Sequence, residues 1–153
     1  IRFGASTAAE DEKDLSRVTM SLELFETYTE GFLSACGARL TQAEIDTLPL
    51  GAKLMTLECG SRFLADYLNG DIYFHVSREG HNLDRARTQM KLVADMEDKW
   101  DRMNAIVQEA AQKVRCRSQA DRRTETFRPP FFSAQFQAGN AALRMEKDTH
   151  DPI

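Results

Sequence analysis

The chain has 153 residues, and 20 Lys plus Arg against 24 Asp plus Glu leave a formal charge of −4. That length suits one domain of ordinary size and would cramp a second independent core, while 42% hydrophobic and 29% charged residues speak against wholesale disorder. No apolar run approaches the roughly 20 residues that cross a bilayer, no signal-peptide pattern opens the chain, and a mild acidic excess offers nucleic acid no basic face.

The first residues, Ile1-Arg2-Phe3-Gly4, lack an initiator Met and read as the continuation of an already ordered segment. A small, acidic stretch from Ala5 to Asp14 reads as a loop. Ser21 is placed to cap a helix running to about Ala35, with Gly37 at the left-handed position beyond it. Leu24, Tyr28 and Phe32, with Phe25 and Leu33 beside them, give that helix one apolar face. Thr41-Gln42-Ala43-Glu44 has the form of a capping box and starts a short second helix. Pro49 interrupts it, and a third helix follows from about Leu50 to Leu68. Leu54, Met55, Leu57, Phe63, Leu64, Tyr67 and Leu68 cover much of its circumference, the pattern of a buried central helix.

Asn69-Gly70 stops that helix, and Asp71 to Val76 reads as an extended segment or a tight connector. Gly80 breaks the chain again. Ala86, Val93, Trp100, Val107 and Val114 then recur at seven-residue spacing, with Met96, Met103 and Ala110 between them. This predicts one helix over 82–114, capped by Asn82 and roughly 50 Å long. Beyond Cys116 the chain turns Arg-rich (Arg117, Arg122, Arg123, Arg128) and carries Pro129-Pro130. Residues 116–153 are expected to be a poorly ordered tail, with a short helix near 138–145, and residues 1–115 to be the helical domain.

Cys36, Cys59 and Cys116 are odd in number and widely spaced, with no C-x-x-C. Cys36 and Cys59 read as small hydrophobes among apolar neighbours, and a reducing, cytoplasmic location is the simplest reading. The phosphate-loop, dinucleotide, nucleophile-elbow and H-E-x-x-H signatures are all absent. His75 and His81 lie six apart, on neither one helical face nor one strand face, so they read as loop histidines rather than metal ligands. Glu97, Asp98, Lys99, Asp101 and Arg102 read as a solvated charged face, and the basic run Lys113, Arg115 and Arg117 as a solvated helix end rather than a phosphate contact.

One region is denser in chemistry. Glu58, Arg62 and Asp66 fall at i, i+4 and i+8 on a mostly apolar helix, and buried charge is costly unless paired. Asp71, Tyr73, Arg78, His81 and Arg85 follow around Gly70 and Gly80. Planar Arg and a Tyr hydroxyl near a bend suit the hydroxyls of a sugar, or a carboxylate; an internal Arg–carboxylate network locking helix to loop explains the same residues.

The strings IRFGASTAAEDEKDLS, LPLGAKLMTLECGSRFLADYLNGDIYF and REGHNLDRARTQ resemble the C-terminal part of sugar kinases with the aminoglycoside-phosphotransferase fold. The nearest match is the N-acetylhexosamine 1-kinase group, whose members are often labelled mucin-desulfating sulfatases. The likeness covers about Ile1 to Val107 and ends by about Val114. It implies an all-α, C-terminal helical subdomain of a protein-kinase-like fold, with one long terminal helix. The implied parent activity is ATP- and Mg²⁺-dependent phosphorylation of the anomeric hydroxyl of an N-acetylhexosamine, part of carbohydrate metabolism.

The nucleotide-binding lobe, the H-G-D motif and the metal-binding Asp of that family all precede the matching strings and are not in this sequence. No catalytic, ATP-binding or metal residue is therefore assigned here, and these residues alone are expected to be inactive. The resemblance does assign sugar binding to Arg62, in C-G-x-R-F-L, and to Tyr73, in G-D-x-Y-F, with Cys59 and Phe63 packing beside the Arg. Its implied partners are the hexosamine and the missing N-terminal half of the kinase. Two alternatives stand beside it: a kinase of the same fold for another sugar or small alcohol, and a helical interaction module using the Trp100 stripe as a seam.

Overall fold

The computed structural model describes residues 1–125. The expected helix at 138–145, Arg128 and Pro129-Pro130 lie outside the described residues, as do the side chains of Arg122 and Arg123. Five α-helices form: α1 (Leu22–Cys36), α2 (Gln42–Asp46), α3 (Leu48–Leu68), α4 (His81–Asp98) and α5 (Trp100–Glu125). Among the described residues there is no strand, only an isolated antiparallel bridge between Ser6 and Met20. The described residues are all-α, and no helix among them is long and apolar enough to cross a membrane. Ile1–Arg115 forms one compact unit, and the account below concerns it.

Local signals start α1, α2 and α3 as the sequence predicts. Ser21 Oγ accepts the Leu24 N–H at 3.2 Å. Thr41 and Glu44 close a full capping box, with Thr41 N–H donating to Glu44 Oε2 at 2.7 Å and Glu44 N–H to Thr41 Oγ1 at 3.3 Å. Pro49 sits in the first turn of α3, where its missing N–H costs nothing.

Four expectations are corrected. Gly37 is right-handed (φ −58°), and what it supplies is room: a Cβ there would stand 3.3 Å from Leu33 Cδ2. On α1 the buried side chains are Phe25, Thr29 and Leu33, while Leu24, Tyr28 and Phe32 are exposed. The helix predicted over 82–114 is two helices, interrupted at Lys99 (φ −100°, ψ 9°). At that break the Lys99 ammonium donates to the Met20 carbonyl at 2.8 Å and to Asp95 Oδ2 at 2.6 Å. Asp95 Oδ2 also accepts from Met20 N–H at 2.7 Å and Thr19 Oγ1 at 2.9 Å, so the clamp fastens the N-terminal segment to the α4–α5 junction.

The seven-residue stripe survives the break because both helices turn it inward: Val93, Met96, Met103, Val107 and Ala110 are buried. Most of it is core; Trp100 and Val114 are partly exposed, Trp100 with the Lys53 ammonium 5.6 Å from its ring centre. The stripe is thus unavailable as a partner seam.

The fourth correction concerns α3, which is covered on one side rather than all round. It packs along α4, which Gly60, Phe63 and Asp66 touch, and its buried residues are these three with Pro49 and Thr56. Leu50, Leu54, Met55, Leu57, Leu64 and Leu68 remain exposed. The two helices approach closely at Gly60, where a Cβ would meet Gln89 Cβ at 2.9 Å.

Two outcomes follow. Overpacking of about 1–3 kcal/mol against a helix-propensity gain of about 1 leaves Gly60→Ala roughly 1 kcal/mol less stable; thermal unfolding checks this, and an unchanged or raised midpoint overturns it. An exposed apolar face of this kind binds hydrophobic dyes and promotes self-association. Leu54→Glu with Leu64→Glu is expected to reduce both, and a wild-type chain that is monomeric and dye-silent overturns the expectation.

Candidate functional site

The site begins with the way α3 stops. Gly70 N–H donates to the Tyr67 carbonyl at 3.2 Å and Asp71 N–H to the Asp66 carbonyl at 2.8 Å, the paired bonds of a Schellman ending. That ending needs a left-handed residue after the cap, and Gly70 supplies it at φ 91°. Asp71 follows at φ 59°, a conformation Asp tolerates better than most residues.

The chain is thereby turned back over the last turns of α3, where Asp66 receives it. Asp66 Oδ1 accepts the N–H groups of Ile72 at 3.1 Å and Tyr73 at 2.8 Å, and Oδ2 accepts that of Phe74 at 2.9 Å. Asn82 Nδ2 adds a fourth bond at 2.9 Å. Burial acts to raise the pKa of this carboxyl, but the Phe74, Tyr73, Ile72 and Asn82 donors together outweigh it, so it lies below the ordinary 3.8. Asp95 behaves alike: burial opposes ionisation, and its bonds from Lys99, Met20 and Thr19 prevail.

Asn82 is not the helix cap its sequence position suggests. α4 starts one residue earlier, behind a left-handed Gly80 (φ 69°), and Asn82 is fully buried. Its amide bridges two carboxylates, Asp66 and Asp71 (2.9 Å), and its Oδ1 accepts from Arg85 Nη1 at 3.0 Å. Arg85 Nη1 also donates to the His75 carbonyl at 3.0 Å, and the guanidinium lies 5.4 Å from the Phe63 ring centre.

What results is an open groove of about 360 Å³ between the end of α3 and the connector. Arg62, Ala65, Asp66 and Asn69 line it from the helix, and Ile72, Tyr73 and Phe74 from the connector. The two residues assigned to sugar binding by sequence are brought together there. Arg62 Nη2 stands 3.4 Å from Tyr73 Oη, and its guanidinium carbon lies 5.6 Å from the Tyr73 ring centre and 5.3 Å from that of Phe74. Stacking of this kind at an exposed site is worth about 0.5–1 kcal/mol.

The stripe Glu58–Arg62–Asp66 is not a buried ion-pair network. Arg62 meets Glu58 at 3.5 Å with both side chains 49% exposed, whereas Asp66 is buried and spends its charge on backbone amides. Cys59 is partly buried, and burial pushes its thiol pKa up, which disfavours the thiolate. Phe63 packs at 4.7 Å against Phe74.

His75 is exposed, and His81 lies elsewhere. Its Nδ1 accepts the Ser77 N–H at 3.2 Å, leaving Nε2 facing Asp11 Oδ2 at 3.2 Å. Among the described residues no group of three or more His, Cys, Asp or Glu is placed to hold a metal. Sequence reasoning passed over Phe74, Asn69, Ile72 and the bridging role of Asn82. The available signal was an Asp one turn before an Asn-Gly helix stop, a natural receiver for the returning backbone. No protein-family model matches the sequence.

Asp66 and Asp95 hold protons less tightly folded than unfolded, so the stability they contribute is present above about pH 4 and lost as the pH falls below it. The melting midpoint is expected to stay level down to about pH 5 and then fall. Asp66→Asn lowers the midpoint at neutral pH and flattens the acid limb. A midpoint that rises on acidification overturns this account.

Proposed function

We propose that this chain supplies part of the sugar-binding groove of a kinase that phosphorylates the anomeric hydroxyl of an N-acetylhexosamine. The observation that carries the reading is the meeting of Arg62, on α3, and Tyr73, on the connector that follows it, at 3.4 Å in an open groove. The groove's volume of about 360 Å³ lies within the range of small-molecule sites. Its chemistry also suits a sugar. Tyr73 and Phe74 offer ring faces to C–H groups, while the Arg62 fork, the Tyr73 hydroxyl and the Asn69 amide offer donors and acceptors to hydroxyls and an acetamido group.

In the kinases the sequence resembles, ATP and Mg²⁺ supply the phosphoryl group and neutralise its developing charge. No step of the transfer is assigned to the residues described here. The part left to this chain is to bind and orient the acceptor.

A second reading, a helical interaction module, draws support from the exposed Leu50, Leu54, Leu57, Leu64 and Leu68 on α3. A sugar titration separates the two, since a purely interacting helix leaves the groove inert.

The test titrates N-acetyl-D-glucosamine into the chain while the Tyr73 ring and the Ile72–Phe74 amide resonances are followed. A lost neutral hydrogen bond is worth about 0.5–1.5 kcal/mol and a charged one about 1.5–3. Arg62→Ala is therefore expected to weaken binding by tenfold or more, and Tyr73→Phe by less. Because Arg62 is half exposed, its loss should cost under about 1 kcal/mol of stability. An Arg62→Ala chain that binds sugar as tightly as wild type overturns the reading.

A further inference from the structure

We infer that Asn82 and Arg85, neither of which lines the groove, are positioning residues that set where Tyr73 stands relative to Arg62. The inference rests on the reading of Arg62 and Tyr73 as sugar-binding and extends it to the groups that hold them.

Tyr73 is 72% exposed, so burial does not fix its ring. Its place is set by its backbone, and that backbone hangs on Asp66, whose two oxygens take the N–H groups of residues 72, 73 and 74. Asp66 is in turn drawn toward a second carboxylate, Asp71, by the Asn82 amide at 2.9 Å from each. An Asn side chain has two N–H donors, and both are used here. Without them two like charges would face each other across a buried space, and the turn that begins at Gly70 would open.

Arg85 closes the arrangement from the other side. One guanidinium nitrogen donates both to Asn82 Oδ1, orienting the bridging amide, and to the His75 carbonyl, pinning the connector just beyond Phe74. The connector is thus held at 72–74 by Asp66 and at 75 by Arg85. Both anchors are referred to α4, because Asn82 and Arg85 stand in its first turns. Arg85 Nε also lies 3.7 Å from Glu10 Oε2, which carries the same frame to the N-terminal segment.

Asn82→Asp is the sharpest test, since it keeps the side-chain shape, removes both donors and brings a third carboxylate to Asp66 and Asp71. Arg85→Lys keeps the charge facing Glu10 but loses the forked geometry, and it stands in if the first variant does not fold. Each is examined by NMR, first without sugar and then with N-acetyl-D-glucosamine, alongside its melting midpoint. Expected for Asn82→Asp are displaced Ile72, Tyr73 and Phe74 amide resonances, loss of the Arg62–Tyr73 side-chain contact, and about tenfold weaker sugar binding. Arg85→Lys is expected to show the same changes in lesser degree.

A lower midpoint with the Arg62–Tyr73 contact and sugar affinity intact would mark a merely structural role and overturn the inference. A wild-type chain that does not bind the sugar overturns the reading beneath it. The positioning half is then still decided by whether the Arg62–Tyr73 contact survives in the variants without sugar.

Discussion

The groove depends on one buried carboxylate. Asp66 lies where an apolar helix meets its neighbour, a place where an ionised group is costly unless its lone pairs are filled. It is filled by four N–H groups, three from consecutive residues of the returning backbone and one from a side chain. The exchange works in both directions. The connector has no strand partner for its amides, and Asp66 accepts what a sheet would otherwise accept. Because Asp66 is satisfied by backbone, Arg62 one turn earlier is not needed as its counter-ion. Arg62 is left half exposed, stacked on two aromatic rings with donors to spare.

The same device recurs at the opposite end of α4. Asp95 takes the Met20 N–H and the Thr19 hydroxyl, and Lys99 returns a donor to the Met20 carbonyl. This clamp, with the Ser6–Met20 bridge, makes the N-terminal segment part of the core: Ala5, Val18 and Met20 are as buried as Phe25 and Leu33. It also falls where α4 gives way to α5. Helix α4 therefore carries two anchors, Asn82 with Arg85 near its start and Asp95 near its end. The segments they hold, 71–76 and 1–21, contain no α-helix or strand of their own.

What was legible in the sequence is what local chemistry decides. Ser21, the Thr41–Glu44 box, Pro49 and Asn69-Gly70 each mark a helix end through bonds made within a few residues. The seven-residue apolar spacing picked out one face across both later helices, most of it buried, because periodicity reports a face whether or not the rod is continuous. The break at Lys99 was not legible, since its partners Thr19 and Met20 lie some 80 residues away. Nor could composition say which of two apolar stripes on α1, or how much of α3, would be covered. For the groove, residue types and spacing gathered a wider cluster around Glu58, Arg62, Asp66, Asp71 and Tyr73, and only the family resemblance singled out Arg62 and Tyr73. The division of labour among them was hidden, because Asp66 and Asn82 act through backbone and through each other.

The polar groove and the apolar face of α3 adjoin. Arg62, Ala65 and Asn69 line the groove, while Leu64 and Leu68 lie on the next strip of the same helix and are exposed. Ile72, 80% exposed, carries apolar surface from the connector into the groove wall. Water therefore reaches Arg62 from the side that α3 leaves bare, and hydrogen bonds made in water return little net free energy. Excluding that water would lower the local dielectric and strengthen each bond the guanidinium makes. The polar groove and the apolar helix face are thus not independent: whatever covers the α3 face also changes the solvation of Arg62.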